Sequence, residues 1–111
     1  FGSAVPVVNL KSALRTFVID KNSKSSIARN RNNYITTQTP QVFSFKRIYK
    51  CYRNILNLEY LNFFDDAAVY DYLEEKPGVQ LIDGIEYNIK VTTDLDYQIS
   101  PMIYEFSKKN T

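Results

Sequence analysis

The stretch Gln80-Leu81-Ile82-Asp83-Gly84-Ile85-Glu86-Tyr87-Asn88-Ile89-Lys90-Val91 decides how the chain reads. Ile85, Tyr87, Ile89 and Val91 alternate with Glu86, Asn88 and Lys90, the two-residue period of a half-buried strand. Asp83-Gly84 suits a two-residue type I′ turn, in which both central residues take positive φ. The stretch therefore predicts a hairpin, with strands at 80–82 and 85–91.

Outward from this hairpin toward the C-terminus, residues 92–96 read as a turn and Tyr97 to Phe106 as a last strand. Pro101 lacks the ladder donor, which implies an edge position or a bulge. Residues 107–111 read as a polar tail. Toward the N-terminus, Asp65 and Asp66 suit the N-cap of a short helix over Ala67 to Glu75. Lys76 lies in its last turn and Pro77-Gly78 stops it. A strand through Val69 and Leu73 is the alternative. From Gln41 to Tyr52, Phe43, Phe45, Tyr49 and Cys51 alternate with Ser44, Lys46, Lys50 and Tyr52, predicting a long strand. Asn54 and Asn57 mark a turn, and Leu58 to Phe64 reads as its partner strand.

Residues 30–40 are polar and turn-like, and Pro40 biases Thr39 toward extended geometry. Leu10, Ala13, Leu14, Phe17 and Val18 fall at helical spacing behind a capping Asn9, predicting a helix over about residues 10–30. Residues 1–8 read as an extended arm. The expectation is one domain over residues 1–111. Its fold class is α+β, one main N-terminal helix packed on an antiparallel sheet of about four strands.

Composition narrows the chemistry. The chain has 111 residues, 44% hydrophobic and 23% charged, an ordinary globular balance. Its net charge of +2 is weak. Lys46, Arg47, Lys50 and Arg53, interleaved with Tyr49 and Tyr52, could contact single-stranded nucleic acid. The small basic excess favours a solvated face instead. With one cysteine and no histidine, internal disulfides, a Cys–His pair and Cys/His zinc sites are excluded. The lone thiol mildly favours a reducing compartment, and Phe1 leaves open whether the N-terminus is processed. No run of about 18 apolar residues predicts a membrane span. The acidic pairs Asp65-Asp66, Glu74-Glu75 and Asp94 with Asp96 sit where caps and turns are expected. No glycine-rich phosphate motif occurs, so the sequence predicts no cofactor, no metal and no enzyme. The surplus of tyrosine suits a contact surface as well as a core rim.

Two stretches resemble the cystatin family of cysteine-protease inhibitors. Leu14-Arg15-Thr16-Phe17-Val18-Ile19-Asp20-Lys21-Asn22-Ser23-Lys24 is similar to the cystatin helix. Gln80-Leu81-Ile82-Asp83-Gly84 with its following strand is similar to the Gln-x-Val-x-Gly hairpin. The resemblance implies an apolar wedge formed by Gly2 and by Gln80, Leu81, Ile82, Asp83 and Gly84, filling a papain-like protease cleft. The chain departs from that pattern in having no tryptophan and a charge at Asp83. The function expected is a non-enzymatic protein-binding domain, a cystatin-type inhibitor. The alternative is a structural or adaptor subunit of a larger assembly, and a weaker one is a nucleic-acid-binding module.

Overall fold

In the computed structural model, residues 2–18, 24–58, 62–73 and 78–110 are described. The hub is β1 (Ser3–Asn9), whose Val5 is fully buried. It pairs antiparallel with β4 (Ile35–Thr37) and β5 (Val42–Phe43), and parallel with β6 (Leu81–Asp83). Alternate residues of a strand aim their backbone groups at opposite edges. Val5 N–H donates to Gln80 O at 2.9 Å and Val7 O accepts from Gly84 N–H at 2.8 Å, both toward β6. The carbonyls of Gly2 and Pro6 accept from Ser44 and Gln38, along the β4 and β5 side. Residues 2–9 are thus the centre of the sheet, not a free arm.

The sheet is mixed, which overturns the antiparallel expectation. It is not packed under an N-terminal helix either. β2 (Leu14–Phe17) and β3 (Ser26–Arg29) form a separate antiparallel hairpin, with Leu14 opposite Arg29 and Phe17 opposite Ser26. Arg15 Nε donates to Ser26 Oγ at 2.7 Å and Arg29 Nε to Thr16 Oγ1 at 2.8 Å. These cross-strand bonds and the β-branched residues on both arms favour extended backbone over the helix that the apolar spacing suggested. The part of the expected helix at residues 19–23 lies outside the described residues.

The helices lie in the second half. α1 (Phe45–Ile55) runs where a strand was expected. Phe43, Phe45, Tyr49 and Cys51 alternate, but Ile48, Cys51 and Ile55 share one helical face, and that face is the buried one. Ile48 N–H to Ser44 O, 3.0 Å, closes the first turn. α2 (Asp66–Leu73) starts as the sequence predicts, with Asp65 Oδ1 accepting from Ala68 N–H at 2.9 Å. Cys51 of α1 meets Val69 and Tyr70 of α2, and Phe43, Ile48, Ile55, Phe63 and Val79 close around them. The Glu74–Glu75 pair, Lys76 and Pro77 lie outside the described residues, as does the middle of the expected 58–64 strand.

α3 (Asp94–Lys109) replaces the expected last strand. Thr93 and Asp96 form a capping box: Thr93 Oγ1 accepts from Asp96 N–H at 3.1 Å, and Asp96 Oδ2 from Thr93 N–H at 3.0 Å. Pro101 sits inside this helix. It cannot donate to Tyr97 O four residues back, and Ser100 Oγ donates there instead at 2.8 Å.

Candidate functional site

Gly84 ends β6 without a hairpin turn. The positive-φ glycine among the described residues is Gly78, at φ 38°. Gly84 N–H caps Val7 O, and the chain then crosses toward β4 through a turn at Glu86-Tyr87. The expected strand 85–91 is therefore an irregular loop, and Gln38 is what holds it. Gln38 Nε2 donates to Ile85 O at 2.7 Å and to Asn88 O at 3.1 Å. Gln38 Oε1 accepts from Ile85 N–H at 3.1 Å. Asn88 Nδ2 returns to Thr39 O at 2.7 Å, next to the cis peptide bond between Thr39 and Pro40. A primary amide has two donors and an acceptor, so one Gln side chain can satisfy a loop that has no ladder of its own.

This bracing shapes a cleft of about 270 Å³ lined by Thr37, Gln38, Gln41, Asp65, Asn88 and Lys90, with Phe64 at its rim. Burial acts to raise the Asp65 pKa. Hydrogen bonds from Gln41 Nε2 (2.9 Å), Ala68 N–H (2.9 Å) and Thr37 Oγ1 (3.3 Å) outweigh it, and the carboxyl stays below its usual range. Its oxygens are thus engaged in holding α2 and the β4–β5 connection. Lys90 shares the cleft and makes no ion pair with a described residue. The cleft therefore offers an exposed ammonium beside hydroxyl and amide groups, a set able to hold an anionic ligand.

A second cationic surface lies at the root of the β2–β3 hairpin. Lys11 pairs with Glu86 at 2.6 Å, and Arg31 Nη1 donates to Lys11 O. Arg15, Arg29 and Arg31 line the adjoining groove. Among the described residues no group of three His, Cys, Asp or Glu side chains could hold a metal ion.

The residues expected to form a wedge are distributed along two paired strands. Gly2 is buried at the start of β1, and its carbonyl accepts from Ser44 N–H at 2.9 Å. A Cβ there would press on the Arg47 side chain and stand 2.6 Å from the Tyr70 hydroxyl. Gln80 N–H donates to Ser3 Oγ at 2.8 Å. Leu81, Ile82 and Asp83 are the exposed strand β6, and Gly84 lies near the other end of β1 from Gly2. Lys46, Arg47, Lys50 and Arg53, expected on a strand face, are on α1. Sequence reasoning passed over Gln38 and Lys90. Lys90 was visible only as an outward position in an alternating run, and Gln38 as one polar residue in a turn.

The mixed sheet braced by helices is an α/β arrangement, with a polar cleft beside its loop crossing. Two solved structures share the fold. The 2-C-methyl-D-erythritol 4-phosphate cytidylyltransferase from Thermus thermophilus superposes with a TM-score of 0.72 at 24% identity, over 92% of this chain and 47% of its own. A 4-diphosphocytidyl-2C-methyl-D-erythritol synthase from Anaerococcus prevotii gives 0.75 at 23%, over 94% and 46%. The model of the 2-C-methyl-D-erythritol 4-phosphate cytidylyltransferase family, IspD, matches residues 1–105, and the chain belongs to that family. The curated relative from Clostridium botulinum is 40% identical over 86% of this chain and 41% of its own length. That from Porphyromonas gingivalis is 33% identical over 92% and 42%. The chain thus spans about two fifths of the relatives it matches.

Membership overturns the cystatin resemblance and, with it, the protease-inhibitor, adaptor-subunit and nucleic-acid readings. It also overturns the expectation of a non-enzymatic chain, since the relatives are named as transferases. The cystatin likeness rested on local patterns, an apolar spacing and a Gln-x-x-x-Gly string, that unrelated folds also contain.

Proposed function

We propose that this chain provides a phosphate-binding part of a transferase that moves a cytidylyl group onto 2-C-methyl-D-erythritol 4-phosphate. In such a transfer an oxygen of the acceptor phosphate attacks the donor phosphorus, and the bond from that phosphorus to its leaving group breaks. Both reactants are anionic, so fixed cations and N–H donors lower the barrier by reducing their mutual repulsion and stabilising the charge that develops on the transferred group and its leaving oxygen. The observation that carries the reading is Lys90, an exposed ammonium lining a polar cleft without a carboxylate partner among the described residues. Gln38 and Asn88 brace the loop that carries it, so the backbone before Lys90 is set before ligand arrives.

Titration of the isotopically labelled chain with 2-C-methyl-D-erythritol 4-phosphate, followed by amide and side-chain NMR, tests the reading. Shifts are expected at Gln38, Asn88 and Lys90, and Lys90→Ala should weaken binding about tenfold or more. Saturating shifts elsewhere, or none at millimolar ligand, would remove the proposal.

A further inference from the structure

We infer that Gln38 is a positioning residue whose neutral amide, and no other group of its shape, sets the loop that carries Lys90. The inference rests on the reading of Lys90 as the phosphate-binding group. β6 ends at Asp83, and residues 84–93 belong to no strand or helix. Such a segment has no ladder to orient its backbone groups, so other donors and acceptors must do it. Asn88 N–H closes a turn on Ile85 O at 2.9 Å. One side chain then clamps that turn from outside. Gln38 Oε1 accepts from Ile85 N–H at 3.1 Å, and Nε2 donates to Ile85 O at 2.7 Å and to Asn88 O at 3.1 Å. The opposite amide orientation would set oxygen against two carbonyls and N–H against N–H, so the network admits one orientation.

Gln38 is itself anchored in the sheet. Its N–H donates to Pro6 O of β1 at 2.8 Å, and its carbonyl accepts from Gln41 Nε2 at 3.4 Å. The clamp thus reaches out from a fixed strand edge to the loop. Lys90 follows Asn88 by two residues and lines the same cleft as Gln38. Both Nε2 protons are committed to the loop, so Gln38 acts through the backbone before Lys90 and not on the ligand. The chemistry demands an amide. A glutamate carboxylate has the same shape but would face the carbonyls of Ile85 and Asn88 with no proton to give. Once protonated, it regains one O–H donor beside its acceptor oxygen. The two carbonyl dipoles hold that proton to a higher pH than the ordinary glutamate value of about 4.3. A leucine fills the space and supplies neither group.

Gln38→Glu and Gln38→Leu in the full chain test this by hydrogen exchange and calorimetric titration. At about pH 7.5 both should speed exchange of the Asn88 amide about tenfold or more, while Val5 N–H in β1 stays unchanged. Both should weaken binding of 2-C-methyl-D-erythritol 4-phosphate about tenfold. At about pH 5 the gap to the parent chain, read at the same pH, should narrow at least about threefold for Gln38→Glu and persist for Gln38→Leu. Loss of packing alone gives no such rescue by protons. Should neither variant fold, the parent chain decides. Its Gln38 Nε2 protons should exchange at least about tenfold more slowly than those of exposed Asn54. Equal rates there, unchanged Asn88 exchange in the variants, a gap that ignores pH, or a loosened loop with undiminished affinity each overturns the inference. A parent chain that binds no 2-C-methyl-D-erythritol 4-phosphate removes the proposed function instead. The exchange rates and their pH dependence then still decide whether the Gln38 amide sets the loop.

Discussion

The side-chain amide of Gln38 occupies the space that a methyl group on Gly84 would need. A Cβ on Gly84 would lie 2.8 Å from Val7 O and 3.1 Å from Gln38 Cδ, and would meet Gln38 Oε1 more closely still. Glycine is required here by close approach and not by a left-handed backbone. Gly84→Ala should therefore cost about 1–2 kcal/mol in denaturant unfolding. The cost should shrink in a Gln38→Ala background, because one of the two obstacles is then gone. Additive losses in the double-mutant cycle would show that the two residues do not compete for space.

Asn88→Ala removes the bond to Thr39 O and leaves Lys90 in place. If the loop positions the ammonium, affinity for 2-C-methyl-D-erythritol 4-phosphate should fall several-fold while the unfolding midpoint moves little. Calorimetric titration beside thermal unfolding separates the two effects. An unchanged affinity would mean that Lys90 is held by something else.

Tyr52 donates to Asp66 across α1 and α2. That bond, then burial, then the charges of Asp66 and Asp65 push its phenol from near 10 up to about 12. The folded value is the higher one, so the contribution is complete below pH 10 and is lost as pH climbs toward 12. The pair is largely solvent-facing, and screening holds its worth to about 1 kcal/mol or less. Unfolding free energy should decline across that window, and Tyr52→Phe should flatten the decline. A Tyr52→Phe profile that parallels the parent would rule the bond out as a stabilising one.

Phe17 looks, from its helical spacing, like the centre of a buried stripe, where truncation costs about 3–5 kcal/mol. In the structure it stands on β2, 52% exposed. Phe17→Ala should cost the isolated chain less than about 1 kcal/mol by denaturant unfolding. A larger loss would place the side chain against something that these contacts do not show.

Thr93 closes the capping box of α3, and Asp96 has its carboxyl held below the usual range by Thr92 and Thr93 backbone donors. Thr93→Ala should lower the helical signal of the chain in circular dichroism and cost about 1 kcal/mol. A helix that persists undiminished would show that packing, not the cap, sustains it.

What the sequence by itself determined is local chemistry. Asp65 was legible as a cap because a carboxylate reaches the first amides of its own helix whatever surrounds it. The absence of histidine and of a second cysteine excluded a set of sites on composition alone. The Thr93-x-x-Asp96 box was equally local, and its signal stood in the sequence unread. Tertiary structure decided the rest, because short apolar patterns fit two periods at once. Phe43 to Tyr52 satisfies a two-residue alternation, yet burial selected Ile48, Cys51 and Ile55, which only a helix brings together. Leu14 to Val18 satisfies a helical stripe, yet pairing with Ser26 to Arg29 made it a strand. Strand order is not local at all. β1 and β6 are joined by the register of Val5 with Leu81, residues whose pairing no neighbouring position encodes. The cleft inherits that non-locality: Gln38 and Lys90 line it together because the parallel strand β6 ends at Asp83 and the chain then crosses to Gln38.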